Sequence, residues 1–104
     1  PISYNKAGLA AVAGINADKA LQAAMVINMT DSGYSNEAVT ISAGTAVKWT
    51  NTGSNKHTAT ADSLSWGTGT VQAGGSFSKY FNDPGTYTYF DSYNSQNTGT
   101  LFVQ

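Results

Sequence analysis

The chain of 104 residues contains no cysteine and no arginine, and only 11% of its residues are charged. The absence of cysteine excludes disulfide bonds, thiolate metal ligands and cysteine nucleophiles. The five lysines are scattered and are offset by six acidic residues, so the sequence lacks the basic patch of a nucleic-acid-binding protein. No apolar run approaches the roughly 20 residues that cross a bilayer. We therefore expect neither nucleic-acid binding nor membrane insertion of this segment.

Small polar residues take the place of the missing charges. Serine, threonine, asparagine and glycine are abundant along the whole sequence. This composition is typical of an extracytoplasmic surface, so we expect a secreted, periplasmic or cell-surface location. The length fits one domain with a modest core.

The chain divides into an N-terminal extension, residues 1–23, and a larger segment, residues 24–104. The extension is rich in alanine, and its pattern leaves two alternatives open. Asn16 is placed to cap a short helix with Asp18 in its first turn. The apolar residues around 9–12 are instead typical of an added strand.

Residues 24–104 show short β segments separated by turn signals. The predicted strands cover residues 25–29, 39–41, 47–49, 57–61, 76–81, 87–89 and 101–103. Apolar and polar residues alternate in several of them, as in half-buried strands, and Asp83-Pro84-Gly85 is a strong turn signal. The pattern predicts an all-β fold, a Greek-key β-sandwich of about seven to eight strands, preceded by the short helix or added strand.

The order of these segments is similar to that of the cupredoxin family. Residues 39–51 resemble the pattern V-x-V-x-x-G-x-x-V-x-W-x-N, and His57 follows at the position of the family's first copper ligand. Residues 83–100 resemble the family's last turn, strand and loop, P-G-x-Y-x-Y-x-C-x-x-H-x-x-M-x-G. In that loop the Cys, His and Met positions hold Asp91, Asn94 and Asn97. The resemblance implies a sandwich with its metal site at one pole, between two loops.

The resemblance does not extend to the redox chemistry of the family. Type 1 copper requires two imidazoles and a thiolate, with a weak axial ligand, and only His57 matches that set. We therefore expect no cofactor. The alternative is a weak or vestigial site in which His57, Asp91, Asn94 and Asn97 bind Cu(II) or Zn(II). The competing interpretation is that the pole is closed and Asp91 accepts a hydrogen bond from His57.

Other enzyme classes are also poorly supported. No nucleophile-elbow pattern marks any of the serines, and Glu37 is the only glutamate. A pair of placed carboxylates for glycoside hydrolysis is therefore not indicated. We expect no enzymatic activity.

Two hypotheses of function remain, because folds often host unrelated functions. The first is a non-catalytic structural, assembly or binding module, with a protein partner or self-association through edge strands or residues 1–23. Three aromatic residues in predicted loops, Tyr34, Trp66 and Tyr93, are candidate recognition residues for such a module. The second hypothesis is non-blue binding of copper or zinc through His57 and Asp91.

Overall fold

The computed structural model describes residues 25–104, which form eight β-strands and no α-helix. The strands are β1 (Met25–Thr30), β2 (Gly33–Tyr34), β3 (Ala38–Ile41), β4 (Thr45–Asn51), β5 (Thr60–Ala61), β6 (Ser76–Phe81), β7 (Gly85–Asp91) and β8 (Asn94–Val103). The predicted all-β sandwich is confirmed. The predicted N-terminal helix or added strand lies outside the described residues. Within residues 25–104 there is no helix with the length and apolar character needed to cross a bilayer.

The strands form two four-stranded sheets, ordered β2-β1-β4-β6 and β3-β8-β7-β5. β1 runs parallel to β4, with Met29 opposite Asn51 at the carboxyl end of both strands. The ends of parallel neighbours lie at the same edge of a sheet, so the turn after β1 lies beside the loop after β4. This edge forms one pole of the sandwich and carries the site described below.

The core lies between the sheets and is dominated by aromatic rings. Strand β4 alternates as predicted, with Val47 and Trp49 fully buried and Lys48 exposed. The ring of Trp49 contacts Tyr89 of β7 and Phe81 of β6, with centroids 5.6 and 6.1 Å apart. The contact between Trp49 and Tyr89 joins the two sheets, whereas Phe81 lies in the same sheet as Trp49. Such edge-to-face contacts add about 0.5–1.5 kcal/mol per pair beyond the area that they bury.

Two strand predictions differ from the structure in the first half of the sandwich. The two-residue strand β2 was not predicted, because Gly33 is part of the Asp31-Ser32-Gly33 turn signal and the pair is too short to show alternation. The predicted strand 57–61 is reduced to Thr60–Ala61, preceded by an isolated bridge between His57 and Val71. Residues 58–59, between this bridge and β5, are not part of a strand.

The segment that resembles the copper-binding loop also differs from the prediction. β8 begins at Asn94, so most of this segment is a strand paired with β7 and β3. Its polar residues show no clear alternation, and backbone hydrogen bonds rather than an apolar pattern hold it in the sheet. The connection between β7 and β8 is therefore a tight turn.

Candidate functional site

The β7–β8 hairpin places Asp91 at the pole. Asp91 pairs with Asn94, whereas the preceding Phe90 pairs with Thr98, so residues 95–97 form a bulge on β8. Asp91 is the last residue of β7 and is 2% exposed. A buried carboxylate requires partners, because burial of an uncompensated charge is strongly unfavourable.

Asp91 has three partners that satisfy both of its oxygens. Its Oδ2 lies 2.6 Å from Nδ1 of His57. Its Oδ1 accepts hydrogen bonds from the backbone N–H groups of Thr58, at 3.1 Å, and Tyr93, at 3.0 Å. The carboxylate thus ties the β7–β8 turn to the segment that carries His57.

A second carboxylate lies on the other side of the imidazole. Oδ1 of Asp31, in the turn after β1, lies 2.8 Å from Nε2 of His57. Asp31 also accepts hydrogen bonds from the backbone N–H groups of Ser54 and Asn55, at 2.9 and 3.1 Å. We refer to Asp31, His57 and Asp91 as the carboxylate–histidine network.

The geometry of this network defines the protonation of His57. A carboxylate accepts hydrogen bonds, and a neutral imidazole has a single N–H group. With a carboxylate oxygen at each ring nitrogen, both contacts are hydrogen bonds only when both nitrogens carry a proton. The arrangement therefore favours the imidazolium, held between two negative charges.

The pKa values of the network follow from these contacts. Burial by itself disfavours the charged form of His57, but the hydrogen bonds and charges of Asp31 and Asp91 outweigh it and raise the pKa above 6.5. The backbone N–H of Ser54, followed by His57 and the N–H of Asn55, lowers the pKa of Asp31 from 3.8 to about 2. Both shifts favour the ion pair.

The loop from residue 51 to residue 57 is held in place by Asn51. This side chain is 1% exposed, and its amide donates to the carbonyl oxygens of Asn55 and Val71, at 2.7 and 2.8 Å. Gly53 is also required, because a Cβ atom there would lie 2.9 Å from Cγ of Asp31 and would overlap its Oδ1. Asn51 and Gly53 therefore position the loop so that the backbone N–H groups and His57 reach Asp31.

The network predicts a pH dependence of folding stability with two limits. The raised pKa of His57 stabilises the fold fully below pH 6.5, and this contribution is lost as the pH rises through the folded-state value. The lowered pKa of Asp31 stabilises the fold above pH 3.8, and this contribution is lost as the pH falls towards about 2. We expect the free energy of unfolding, measured by urea titration at a series of pH values, to be largest between those limits. In the His57→Gln variant the decrease above pH 6.5 should disappear, and an unchanged alkaline decrease would contradict this assignment.

The structure separates the four residues that the sequence grouped as a weak metal site. His57 and Asp91 are in contact, but Asn94 is exposed, and its Oδ1 accepts a hydrogen bond from the backbone N–H of Gln96 at 3.3 Å. Asn97 lies in the bulge of β8 and faces Gly33 of β2. Neither amide forms a hydrogen bond with the imidazole within the described part of the chain.

The three candidate recognition residues lie in three different environments. Tyr34 is not in a loop: it is a buried residue of β2, and its hydroxyl donates to the carbonyl oxygen of Thr58. Burial, followed by the charge of Asp91, raises the pKa of this hydroxyl. Tyr93 is half exposed in the β7–β8 turn, where Nζ of Lys56 lies 4.9 Å from its ring centroid. Trp66 is partly buried and packs against the core, with its centroid 5.7 Å from that of Trp49.

Sequence reasoning missed Asp31 as a member of the site. An Asp-Ser-Gly sequence is an ordinary turn signal, and that reading accounts for the residue without any further role. The signal that identifies Asp31 is the parallel pairing of β1 with β4, which brings the two loops together. That pairing is not encoded in any local pattern.

Comparison with known families identifies the family of this chain. The family model described as the cupredoxin-like domain matches residues 7–103. This chain belongs to the cupredoxin-like domain family. The match begins inside the segment that the sequence analysis set apart as an extension. A search of curated protein sequences gave no significant match.

Solved structures of a cupredoxin and of other copper proteins share the fold of this cupredoxin-like domain at low sequence identity. A purple cupredoxin from Nitrosopumilus maritimus is 22% identical with a TM-score of 0.70, over 76% of this chain and 98% of that protein. A single-residue variant of amicyanin in its Cu(I) form is 21% identical with a TM-score of 0.71, over 78% of this chain and 82% of that protein. A copper-containing nitrite reductase from Thermus scotoductus is 19% identical with a TM-score of 0.72, over 77% of this chain and 22% of that protein. At these identities the likeness shows the fold alone.

The residues of this cupredoxin-like domain do not fit a type 1 copper centre. The chain has no cysteine and a single histidine, whereas such a centre requires one thiolate and two imidazoles. Within residues 25–104, no group of three or more His, Cys, Asp or Glu side chains is arranged to hold a metal ion. The two carboxylates lie on opposite ring nitrogens of His57 and therefore do not converge on one point.

Proposed function

We propose that this cupredoxin-like domain is a non-catalytic structural and assembly module that works outside the cytoplasm without type 1 copper. One observation carries the proposal: a carboxylate oxygen lies within hydrogen-bond distance of each ring nitrogen of His57. His57, which by the resemblance of the sequence occupies the position of the family's first copper ligand, is in this proposal part of a network that closes the pole. In this proposal the network stabilises the contact between three connections: the turn after β1, the loop that carries His57 and the β7–β8 turn.

This geometry makes the alternative function, non-blue metal binding, energetically unfavourable. A metal ion at either ring nitrogen of His57 must displace a proton and one carboxylate contact. At Nδ1 it must also enter a site where the side chains of His57 and Asp91 are only 6% and 3% exposed. Deprotonation is disfavoured further because the pKa of His57 is raised.

Metal titration tests this part of the proposal. We expect isothermal titration calorimetry of the full chain with Cu(II), and separately with Zn(II), to show no saturable uptake tighter than the millimolar range. The His57→Ala variant provides the baseline for adventitious surface binding. Saturable binding by the unsubstituted chain that is lost in His57→Ala would overturn the closed-pole proposal and support metal binding through His57 and Asp91.

The edges of the two sheets are the candidate surfaces for assembly. β2 and β6 are the edge strands of one sheet, and β3 and β5 are those of the other. β6 carries Lys79 on the same face as Phe81, and an inward-pointing lysine is a device that discourages edge pairing. β3 has four residues and no charged side chain between Ala38 and Ile41. We propose that a protein partner or a neighbouring copy of this chain adds a strand at such an edge, with residues 1–23 as the donor in self-association.

Removal of residues 1–20 tests the assembly proposal. We expect the full chain to give an oligomeric mass by light scattering and the shortened chain to give the monomeric mass at the same protein concentration. Circular dichroism must show the same β spectrum for both proteins. The same mass for both would count against assembly through the N-terminal segment, whatever the outcome of the metal titration.

A further inference from the structure

A concave surface lies apart from the carboxylate–histidine network. It is a cleft of about 230 Å³, open to solvent, between the C-terminal part of β6, the β6–β7 turn and the segment around Trp66. Its lining includes Trp66, Lys79, Tyr80, Asn82, Asp83 and Tyr87. None of these residues forms a hydrogen bond with His57, and the proposed function does not use the cleft.

Trp66 provides a fixed aromatic surface at this cleft. Its ring packs against Trp49 and Phe81, with centroids 5.7 and 5.2 Å apart, and its carbonyl oxygen accepts a hydrogen bond from the N–H of Ala61 at 3.0 Å. The side chain is nevertheless only partly buried and contributes to the lining of the cleft. A large apolar ring that is held rigid and left in contact with solvent offers contact area at little cost in conformational entropy.

The charged and aromatic groups of the cleft restrict the class of ligand. Lys79 and Asp83 place one positive and one negative side chain in the same cleft. The electrostatic potential of the cleft is therefore not of one sign, and it does not attract an ion of either charge. The face of Phe81 that would suit a cationic ligand is already occupied, because Nζ of Lys79 lies 5.3 Å from its ring centroid. These features disfavour a strongly charged ligand.

The polar groups instead match a neutral ligand that is rich in hydroxyl groups. Lys79 offers only donors, Asp83 only acceptors, and Asn82 both. Tyr87 is held in place because its hydroxyl donates to the carbonyl oxygen of Asp83 at 2.6 Å. A sugar ring has one face of C–H groups that packs on an aromatic ring and a periphery of hydroxyls that both donate and accept hydrogen bonds.

We propose that this cleft binds one ring of a neutral saccharide, stacked on Trp66 and bordered by Tyr80. The volume of about 230 Å³ is below the roughly 300–1,000 Å³ typical of pockets for drug-sized ligands. It therefore suits a single ring. Because the cleft is open, a longer chain can extend from it into solvent.

The test is a nuclear magnetic resonance titration of the ¹⁵N-labelled full chain with three neutral probes, maltohexaose, cellohexaose and chitohexaose. We expect at least one probe to give saturable shifts confined to the amides of residues 65–66, 79–83 and 87, with an affinity that salt does not weaken. Tyr80→Ala should weaken binding by about tenfold, which corresponds to about 1.4 kcal/mol. Tyr80 is 53% exposed, so this variant should fold even if Trp66→Ala does not. Phe102→Ala, at an aromatic residue of β8 that is 42% exposed and lies outside the cleft, is the matched control and should bind as the unsubstituted chain does.

Three results would overturn the proposal. The first is the absence of saturable shifts with all three neutral probes at millimolar concentration. The second is binding only of an anionic polysaccharide such as heparin, with affinity that falls as salt is added. The third is binding of decaproline but of no saccharide, which would assign the aromatic surface to an extended peptide.

Discussion

Replacement of Asp91 with alanine is expected to lower the free energy of unfolding by about 3–5 kcal/mol, because it removes one partner of a buried ion pair. His57 would keep its burial but lose the carboxylate 2.6 Å from Nδ1. The backbone N–H groups of Thr58 and Tyr93 would lose their acceptor as well. Domains of this size are stable by about 5–15 kcal/mol, so the loss is a large part of the total.

Asp91→Asn is the matched control for this prediction. Asparagine keeps the shape and an oxygen for the two N–H groups, but it removes the negative charge beside the imidazole. We expect a smaller destabilisation by chemical denaturation than in Asp91→Ala, together with a decrease in the pKa of His57 followed by proton nuclear magnetic resonance. A loss below about 0.5 kcal/mol in Asp91→Ala, within the range of ordinary surface substitutions, would contradict the structural role of the network.

Replacement of Gly99 with alanine is expected to destabilise the fold by about 3 kcal/mol, through overpacking of the core. A Cβ atom at this position would lie 2.7 Å from Cε2 of Tyr89 and would overlap the end of its ring. Tyr89 has little room to move, since its centroid lies 4.9 Å from that of Tyr34 and 5.6 Å from that of Trp49. The cost is steric and does not arise from backbone strain.

Gly67→Ala provides the control for an ordinary glycine. There the nearest atom to an added Cβ is the carbonyl oxygen of Ala59 at 3.5 Å, which is a normal contact. Thermal unfolding of both variants, followed by circular dichroism, should show a large decrease in the melting temperature for Gly99→Ala and little change for Gly67→Ala. Equal effects would show that loss of glycine flexibility, and not the contact with Tyr89, governs stability at residue 99. The double variant Gly99→Ala with Tyr89→Leu should lose less stability than the sum of the single variants, because the shorter side chain relieves the overlap.

The strands with clear alternation were predictable from the sequence. Residues 76–81 were predicted as a strand and form β6, and the alternation of Val47, Lys48 and Trp49 gave the correct inward face of β4. Two kinds of element escaped prediction. β2 is too short to display a period, and the first half of β8 is polar throughout, so its strand conformation comes from backbone pairing with β7 and not from a hydrophobic pattern.

The site was only partly predictable for a related reason. His57 and Asp91 were identified because each occupies a position in a recognisable order of residues. Asp31 was not, because it lies 26 residues before His57 and reaches it only through the parallel alignment of β1 and β4. Asn94 and Asn97 were assigned to the same pole, but Asn94 is exposed and Asn97 faces Gly33, and neither forms a hydrogen bond with the imidazole within residues 25–104.

The sequence by itself determined the β-sandwich and the exclusion of a thiolate copper site. Both conclusions follow from local information: the alternation of residues along strands, the order of motifs, and the absence of one residue type. Only the tertiary structure decided what His57 does in this chain. The partners of an imidazole depend on which strand ends meet at the pole, and the strand order places one carboxylate at each of its nitrogens.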